Sequence, residues 1–479
     1  MDFEVDKDGI LYLDGKLYED PIHGKVKADS LQVDIMNTKS FQRLFRIGQN
    51  GFSYVDFKGL KNNTRGGHSI TSMVQAKKDL GALRRNGVET TKLLIPTTNL
   101  LHDEGHGAYS HSFERIVTNS HHEQITSDII LGNTDTNRVL AKHLTDDSDI
   151  EMIANSLAGN RHQEISSMLE NPELRKLLSK HMTEADIKMM QDTLSEKQYL
   201  GIMNKLVSGL VDPDRKAYIR SDSHFAGLPQ PFIPENLEKA LMVAINDKGK
   251  AELCLDADAK MDIIAFFDIR KSLYENVYFS HGAMASDASL IPMLHQYVPW
   301  LLQNGHIDDN GLDEIFIKAI TKRELSTEER LQTDDAWFER NLEVLSQKDD
   351  PLLKYLCADG GATALRDFIY RPDIKTQDAY GNLIESSFGE NRKSYGLVSG
   401  TAKYSVTKPG AINIYHRKGG YFQDVHDIAS LAANRGIVDL RVYQNKEILR
   451  LEHEAISTGS PYGEFLKSHP AEGAEIDKG

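Results

Sequence analysis

The sequence predicts a mainly α fold with a short N-terminal β segment and a small C-terminal α+β region. From about residue 31 to residue 330, apolar residues recur at the spacing of helices that bury one face. Glycine and proline are sparse inside these segments, as stable helices require. Alternating apolar and polar residues, which are typical of strands, occur in short segments towards the two ends.

The N-terminal arm, residues 1–30, contains the first alternating segment. Residues 10–16 alternate around an Asp-Gly step, and the turn-rich segment Asp20–Gly24 follows. Asp-Gly steps favour tight turns between strands. We therefore predict a short strand pair that is followed by a turn.

A helical domain is predicted over residues 31–330. Its first helices begin where Leu31, Ile35 and Phe41 recur at helix-like spacing. The further predicted helices lie at 69–86, 91–102, 122–132, 148–158, 162–180, 184–195, 197–210, 235–245, 258–280 and 287–303.

A C-terminal α+β region is predicted over residues 331–456. Segments 411–416 and 438–443 alternate like strands, and a helical stretch at 424–434 lies between them. The tail, residues 457–479, is rich in Ser, Gly, Pro and Glu, so we expect it to be flexible.

The composition excludes several classes of protein. No stretch of the 479 residues approaches the roughly 20 consecutive apolar residues that a membrane span needs. The acidic N-terminus lacks the apolar run of a signal peptide. Two cysteines, Cys254 and Cys357, cannot make a disulfide framework. We therefore expect a cytoplasmic protein with reduced cysteines.

The net charge of −15 bears on the class of ligand. An acidic surface repels phosphate backbones, which argues against nucleic acid as the main partner. It does not exclude an anionic small molecule, because a local group of Arg, Lys, His and metal can reverse the field where the ligand lies.

The segment from His102 to Glu114 is the most informative in the chain. It holds three histidines and three acids in thirteen residues, directly after an apolar helix. Adjacent His102 and Asp103 can bind one cation through nitrogen and oxygen. The alternative is that a His-rich turn merely caps the helix. The doublet supplies two ligands only, and a catalytic metal site needs more.

Two further segments offer additional metal ligands. His68 opens an amphipathic helix, and Asp214 follows an apolar stretch and Pro213. Taken alone, His68 is an ordinary polar residue at a helix start and Asp214 is a helix N-cap.

These residues resemble a known signature. His68, His102–Asp103 and Asp214 resemble the spaced H…HD…D motif of the HD phosphohydrolase superfamily. Within it, the chain is similar to deoxynucleoside triphosphate triphosphohydrolases, including the bacterial dGTPases. The similar segments occur in order over about residues 17–285 and are Asp20–Gly24, Phe41–Leu44, His102–His111, His122–Glu123, and Asp268–Tyr274 with Tyr278.

The resemblance implies an HD-domain helical fold and a single divalent metal, Mn²⁺, Mg²⁺ or Fe. It assigns the metal to His68, His102, Asp103 and Asp214. It also implies four catalytic residues beside the α-phosphate, which are His106, His111, Glu114 and His122. A carboxylate beside an imidazole raises the basicity of the imidazole and suits it to proton transfer. The alternative for each is a supporting role around the metal helix.

The resemblance also implies eight substrate-binding residues. The arginines that it places at phosphates are Arg65, Arg215 and Arg270, each of which could instead be a surface ion-pair residue. Those that it places near the sugar and base are Gln49, Asn50, Tyr218, Asp222 and Tyr278. Asp222 would accept the 3′-hydroxyl. Tyr278 would exclude a 2′-hydroxyl by close packing, although a core tyrosine is the common alternative.

Some positions depart from the family pattern. Glu104 stands where an aliphatic residue is usual and adds a third acid beside the doublet. Relatives activated by guanine nucleotides carry an acid and an arginine near the positions of Asn37 and Phe45. Those charged contacts are not available here, so a different nucleotide activator, or none, is left open.

The sequence thus predicts hydrolysis of a deoxynucleoside triphosphate (dNTP) to deoxynucleoside and triphosphate. The resemblance further implies a homo-oligomer, either a dimer or a tetramer. Two alternatives are an HD phosphohydrolase that acts on another nucleotide or on single-stranded nucleic acid, and a non-catalytic nucleotide sensor.

Overall fold

The computed structural model describes residues 1–86, 94–117, 121–157, 205–207, 209–229, 235–245, 251–367, 369–370, 397–404, 413–418, 420–425 and 437–468. The predicted helices at 162–180 and 184–195 lie outside the described residues, as do residues 426–434 of the predicted stretch at 424–434.

The mainly α prediction is confirmed in the described part of the chain. Its α-helices are Ser30–Met36, Lys39–Arg43, Arg65–Arg85, Leu94–Leu101, His111–Ile116, His122–Leu131, Asp135–His143, Asp147–Leu157, Pro213–Phe225, Glu235–Lys239, Lys260–Leu273, His281–Pro292, Val298–Gln303, Glu314–Thr321, Thr327–Arg330, Asp335–Ser346, Pro351–Leu356, Ala362–Arg366, Lys446–Thr458 and Pro461–Ser468. Its 3₁₀ turns are Leu44–Arg46, Gly51–Val55, Lys58–Asn62, Ala257–Ala259 and Ala358–Gly361, and its π turns are Tyr274–Tyr278 and Met293–Tyr297.

The strands form four small sheets. Their bounds are Phe3–Val5, Leu11–Leu13, Lys16–Leu17, Glu19–Asp20, Gly24–Lys25, Leu241–Ile245, Ala251–Asp256, Ile369–Tyr370, Leu397–Tyr404, Asn413–His416, Tyr421–Asp424 and Ile437–Gln444. The N-terminal arm contributes a three-stranded antiparallel sheet and a two-stranded hairpin. The Asp20 carboxylate closes the turn of this hairpin by accepting the main-chain N–H groups of Ile22 and His23.

The helix Arg65–Arg85 lies at the centre of the helical domain. The Thr64 hydroxyl caps its N-terminus by accepting the Gly67 N–H. It packs against the helices Leu94–Leu101 and Pro213–Phe225. Between two of these helices the buried Lys216 ammonium lies 2.8 Å from both Asp79 carboxylate oxygens. This three-helix packing fixes the relative positions of the two helix starts and of the loop after Leu101.

The predicted helix at 235–245 is wrong in its second half. The chain forms the short helix Glu235–Lys239 and then the strand Leu241–Ile245, which pairs antiparallel with Ala251–Asp256. An apolar run of this length fits either structure, and here pairing with a neighbouring strand decides it.

The C-terminal α+β region is less separate than predicted. This region begins with the helices Asp335–Ser346, Pro351–Leu356 and Ala362–Arg366, and the strand Asn413–His416 pairs in parallel with Cys254–Asp256 of the preceding domain. The strands predicted near 411–416 and 438–443 are present as Asn413–His416 and Ile437–Gln444. One sheet therefore crosses the predicted boundary at residue 330.

The tail is ordered further than its composition suggests. The helix Lys446–Thr458 ends at Gly459, which adopts a φ of 65°, and the helix Pro461–Ser468 follows. Tyr462 and Phe465 are buried, with ring centroids 4.9 and 4.8 Å from that of Tyr297. The Ser, Gly and Pro residues form the turn between two packed helices, and residues 469–479 lie outside the described residues.

Among the described helices, none combines the length and the apolar character that crossing a lipid bilayer would require.

Candidate active site

Four predicted metal ligands converge on one point. The His68 Nε2 atom lies 3.2 Å from His102 Nε2 and 3.0 Å from Asp214 Oδ1. The Asp103 carboxylate lies 3.5 Å from His68 Nε2 and 3.3 Å from His102 Nε2. These four residues come from three elements that are far apart in sequence but adjacent in the three-helix packing.

Neighbouring groups orient these donors. His102 Nδ1 lies 2.7 Å from the Asn99 carbonyl oxygen, which can only accept, so Nδ1–H donates and the Nε2 lone pair points at the cluster. The Arg65 guanidinium donates to Asp103 Oδ2 at 2.6 Å. Partners of this kind fix ring orientation and ligand position in metal sites.

The four residues fit a divalent cation. Mixed imidazole and carboxylate donors suit Mn²⁺, Fe or Mg²⁺. Ligand atoms about 2.0–2.2 Å from a shared cation lie roughly 3 Å apart, which is close to the spacings found here. Burial opposes charge at His102, yet Asp103 and then Asp214 raise its pKa to about 9. The carboxylates thus produce a negative potential that favours a cation.

The loop of residues 102–110 carries two predicted metal ligands and is called the metal loop below. Two glycines allow this loop to pack closely. A Cβ atom on Gly105 would lie 2.2 Å from the His122 carbonyl oxygen, and one on Gly107 would lie 2.3 Å from the Phe113 ring. Beyond them, Tyr109 and Ser110 adopt positive φ values of 54° and 56°. Non-glycine residues rarely adopt such values, and they are often found at functional sites.

A second cluster of titratable side chains lies beside the metal ligands. Glu114 Oε1 is 3.0 Å from His106 Nδ1 and 2.9 Å from His122 Nδ1, while Glu114 Oε2 is 3.5 Å from His111 Nδ1. His106 Nε2 also lies 3.3 Å from Asp103 Oδ1. His106 therefore connects the two clusters, and all four predicted catalytic residues are together.

The pKa values of the histidines in this cluster are shifted in different directions. Burial lowers the pKa of His106 to about 3, with further contributions from Arg65 and His122. Burial opposes charge at His122 too, but the Glu114 carboxylate raises its pKa above the usual value. For Glu114, burial is outweighed by His122, His106 and His111, which hold its pKa well below its usual range. The neutral His106 ring stacks on His122 at 3.8 Å.

A cavity of about 770 Å³ opens beside both clusters. It is lined by thirteen of the sixteen predicted site residues, namely Gln49, Asn50, Arg65, His102, Asp103, His111, Glu114, His122, Asp214, Arg215, Tyr218, Asp222 and Tyr278. His68 and His106 lie behind this lining, in contact with it through the two clusters. Arg270 is also behind the lining, where its Nε donates to the Tyr218 hydroxyl at 2.8 Å.

Hydrogen bonds to Asp222 organise the side of the cavity that was predicted to bind the sugar. Its Oδ2 atom accepts from Asn50 Nδ2 at 2.8 Å and from the Tyr278 hydroxyl. Its Oδ1 atom accepts from Asn63 Nδ2 at 2.7 Å. Burial raises the pKa of Asp222, and these donors oppose that effect.

The predicted phosphate-binding arginines have protein partners. Arg65 donates to Ser110 Oγ, Asp103 and the Gln49 carbonyl oxygen, and it is buried. Arg215 donates to the Gly209 carbonyl oxygen and to the Asp212 carboxylate. Both nevertheless line the cavity and bring positive charge to it.

Sequence reasoning missed three residues that support the site, of which Asn63 and Arg43 are buried. Asn63 bonds to Asp222, Arg43 donates to the carbonyl oxygens of Glu104 and His106, and Asp335 accepts the Gly48 and Tyr109 N–H groups. Arg43 lies inside the segment Phe41–Leu44 that resembled the family, and this was the one signal that could have identified it.

Three positions that depart from the family pattern have structural explanations. The Glu104 side chain is buried and accepts from the Thr136 hydroxyl, so it does not lie beside the metal ligands as expected. Asn37 exchanges two hydrogen bonds of 2.8 Å with the main chain of Phe3, and Phe45 packs against the Phe3 ring. The N-terminal strand thus contacts both residues at which a nucleotide activator was considered.

Comparisons with known proteins agree with this architecture. No protein-family model matches the chain. A phosphohydrolase from Bacteroides thetaiotaomicron superimposes with a TM-score of 0.64 at 20% identity, over 90% of this chain and all of that one. A hypothetical protein from Aquifex aeolicus superimposes with a TM-score of 0.62 at 18% identity, over 90% of this chain and 97% of that one. The chain shares the fold of these two proteins.

The matches to relatives found by sequence cover smaller parts of this chain than the matches to the two solved structures. The uncharacterized protein YwfO of Bacillus subtilis is 24% identical over 347 residues, which cover 71% of this chain and 69% of YwfO. The deoxynucleoside triphosphate triphosphohydrolase SAMHD1 of Xenopus laevis is 38% identical over 109 residues. That match covers 21% of this chain and 16% of SAMHD1.

Proposed function

We propose that this protein is a metal-dependent HD-type phosphohydrolase, and that its substrates are deoxynucleoside triphosphates. The convergence of His68, His102, Asp103 and Asp214 on one point beside a cavity carries the first part of the proposal. The short match to SAMHD1 and the hydrogen-bonded Asp222 support the second part.

The proposed reaction breaks one bond and forms another at the α-phosphorus. Water attacks this atom, the bond from phosphorus to O5′ breaks, and O5′ takes a proton, which yields deoxynucleoside and triphosphate. A cation held by the four ligands would supply Lewis-acid polarisation and would neutralise charge on the phosphate.

The His–Glu cluster is suited to the proton transfer. Glu114 keeps His122 protonated and fixes its Nδ1 atom at 2.9 Å, so the opposite ring nitrogen is available as a proton donor to O5′. His111 has a more exposed side chain at the same wall of the cavity and can bind phosphate oxygens. Burial lowers the pKa of His106, which lies between His122 and Asp103.

The cavity is also suited to a triphosphate. Its volume lies within the roughly 300–1,000 Å³ of small-molecule sites. Arg65 and Arg215 offset the negative charge of the substrate from one wall, although part of their hydrogen-bonding capacity is used by the protein. Asp222 and Tyr278 lie where a sugar hydroxyl could bind.

Product analysis tests the proposal directly. The purified protein is incubated with Mn²⁺ or Mg²⁺ and each of the four dNTPs in ¹⁸O-labelled water, and the products are separated by ion exchange. We expect deoxynucleoside together with labelled triphosphate. Monophosphate with pyrophosphate would mean that the α,β-phosphoanhydride breaks instead of the bond to O5′, and an absence of turnover, with dNTP-dependent thermal stabilisation, would favour a nucleotide sensor.

A variant of one ligand links the reaction to the metal. Asp103→Ala should lose bound metal, measured by elemental analysis, together with at least 99% of turnover, on the order of the effects of losing a catalytic group. The control is Glu343→Gln, at an exposed position on the helix Asp335–Ser346. Retained turnover in Asp103→Ala would overturn the metal assignment.

We also propose that the protein assembles as a dimer or tetramer, as the family resemblance implies. Light scattering after size exclusion, with and without dNTP, measures the mass in solution. A mass of one chain at all concentrations would contradict this part of the proposal.

A further inference from the structure

Asn63 is buried, yet it contacts three residues that line the cavity. It is 2% exposed and does not line the cavity itself. Its Nδ2 atom donates to Asp222 Oδ1 at 2.7 Å and to Asn50 Oδ1 at 3.0 Å. Its carbonyl oxygen accepts the Gln49 N–H at 2.9 Å. One residue thus holds three of the five residues predicted to lie near the sugar and base.

The contacts of Asp222 limit what else it can bind. A carboxylate offers about four acceptor positions, two on each oxygen. Asn50 and Tyr278 take both positions of Oδ2, and Asn63 takes one position of Oδ1. Among these contacts, one position of Oδ1 is left for one hydroxyl of a ligand.

The side-chain amide of Asn63 is suited to these two contacts. An amide can donate two hydrogen bonds at once, which is what the acceptors on Asp222 and Asn50 require. An apolar side chain of similar size would leave both acceptors without this donor. The loss of these hydrogen bonds would cost stability and would let the carboxylate rotate.

We propose that Asn63 is a positioning residue that fixes the Asp222 carboxylate so that it accepts one sugar hydroxyl of the substrate. This inference rests on the proposed function. Because the Asn63 side chain acts on Asp222, its removal should lower kcat/KM most for substrates that carry the hydroxyl. A residue that merely supports folding would affect all substrates equally.

The test pairs a substitution with a change in the substrate. The value of kcat/KM is measured for a dNTP and for the matching 2′,3′-dideoxynucleoside triphosphate, with the wild type and with Asn63→Ala. The wild type should prefer the dNTP by about 10- to 100-fold, as expected for a hydrogen bond to a charged group. In Asn63→Ala this preference should fall to about threefold or less, with the dideoxy substrate hydrolysed as before.

Controls separate this effect from general damage. Asn62→Ala changes the exposed neighbour and should keep the wild-type preference. Asn63→Leu keeps the volume, removes the donor and should behave like Asn63→Ala, with metal content and circular dichroism unchanged. Equal losses for both substrates, or unfolding of both Asn63 variants, would overturn the inference. A wild type that hydrolyses no dNTP would instead refute the proposed function.

Discussion

At the scale of single residues, burial and neighbouring charges shift the pKa values of two stacked imidazoles in opposite directions. His122 faces Glu114 at 2.9 Å, and its pKa is raised despite burial. Burial lowers the pKa of His106 to about 3, and Arg65 and His122 lower it further. The pKa values of the two stacked rings are thus shifted in opposite directions, which suits His122 to proton donation.

Glu114→Gln should shift the pH dependence of turnover to lower pH. A raised pKa keeps His122 protonated above its usual value of 6.5, so activity that needs this proton falls as the pH rises through the raised pKa. Without the carboxylate the pKa drops, and the fall begins at lower pH. We also expect kcat to decrease by about 10²- to 10³-fold.

The profile is obtained from kcat/KM between pH 5 and 9 at saturating metal. Glu343→Gln, a carboxylate removed from an exposed helix face, serves as the control and should reproduce the wild-type profile. An unchanged alkaline limb in Glu114→Gln would show that His122 is not the proton donor.

Glu104→Gln should stabilise the protein at neutral and alkaline pH. Burial raises the pKa of Glu104 to about 8 from its usual 4.5. Between these values the unfolded chain releases the proton and the folded chain keeps it, so stability falls as the pH rises from about 4.5 to 8. Glutamine carries no such penalty and keeps an oxygen to accept from Thr136. The expected gain is about 2–3 kcal/mol at pH 7.

Denaturant titrations at pH 4.5 and pH 8 measure this difference. The two proteins should be similar in stability at the lower pH and should diverge at the higher one. A pH-independent difference would mean that Glu104 is ionised in the folded state.

At the scale of elements, close approaches at glycine fix the start of the central helix. A Cβ atom on Gly66 would lie 2.8 Å from two atoms of the Phe45 ring, whereas one on Gly67 would meet Thr64 Oγ1 at 3.5 Å. His68, a predicted metal ligand, lies in the same turn. The contact with Phe45 therefore determines where the first turn of this helix lies.

Gly66→Ala and Gly67→Ala should consequently differ although the positions are adjacent. Gly66→Ala forces Phe45 and the helix apart, and we expect a loss of about 1–3 kcal/mol and weaker metal binding. Gly67→Ala removes a flexible residue from a helix and should be neutral or stabilising by up to about 1 kcal/mol. Thermal unfolding and metal titration measure both, and equal effects would contradict the packing argument.

At the scale of the whole molecule, Arg43 joins segments that are distant in sequence. Its guanidinium donates to the carbonyl oxygens of His106, Thr333 and Glu104 at 2.7–2.9 Å. Burial lowers its pKa to about 10, so it remains charged at neutral pH. The metal loop is thus tied both to the segment Phe41–Leu44 and to the chain beyond residue 330.

Arg43→Lys should destabilise the protein by about 2–3 kcal/mol, because one ammonium cannot reach three carbonyl oxygens as a guanidinium does. Arg46→Lys is the control, since Arg46 is half exposed and makes an ion pair with Asp334. We expect it to change stability by less than about 1 kcal/mol. Equal losses in denaturant titrations of the two variants would contradict a special role for Arg43.

Local patterns reveal much of the site but little of what supports it. The sequence named His68, His102, Asp103 and Asp214, since metal chemistry restricts the residue types that serve as ligands. It did not indicate Asn63 or Asp335, because a single amide or acid inside an ordinary segment has no distinguishing spacing. Their partners at Asp222 and Gly48 are more than 150 residues away.

The sequence by itself predicted the helical class, the N-terminal strands and the residues that form the two clusters of histidines and carboxylates, because helix periodicity and the residue types that bind metals are local properties. Tertiary structure alone decided that Leu241–Ile245 is a strand, that a C-terminal strand joins its sheet and that Pro461–Ser468 packs as a helix. It also decided where Glu104 points and what holds Asp222. Each of these outcomes depends on a partner that is distant in the chain, and no local pattern specifies such a partner.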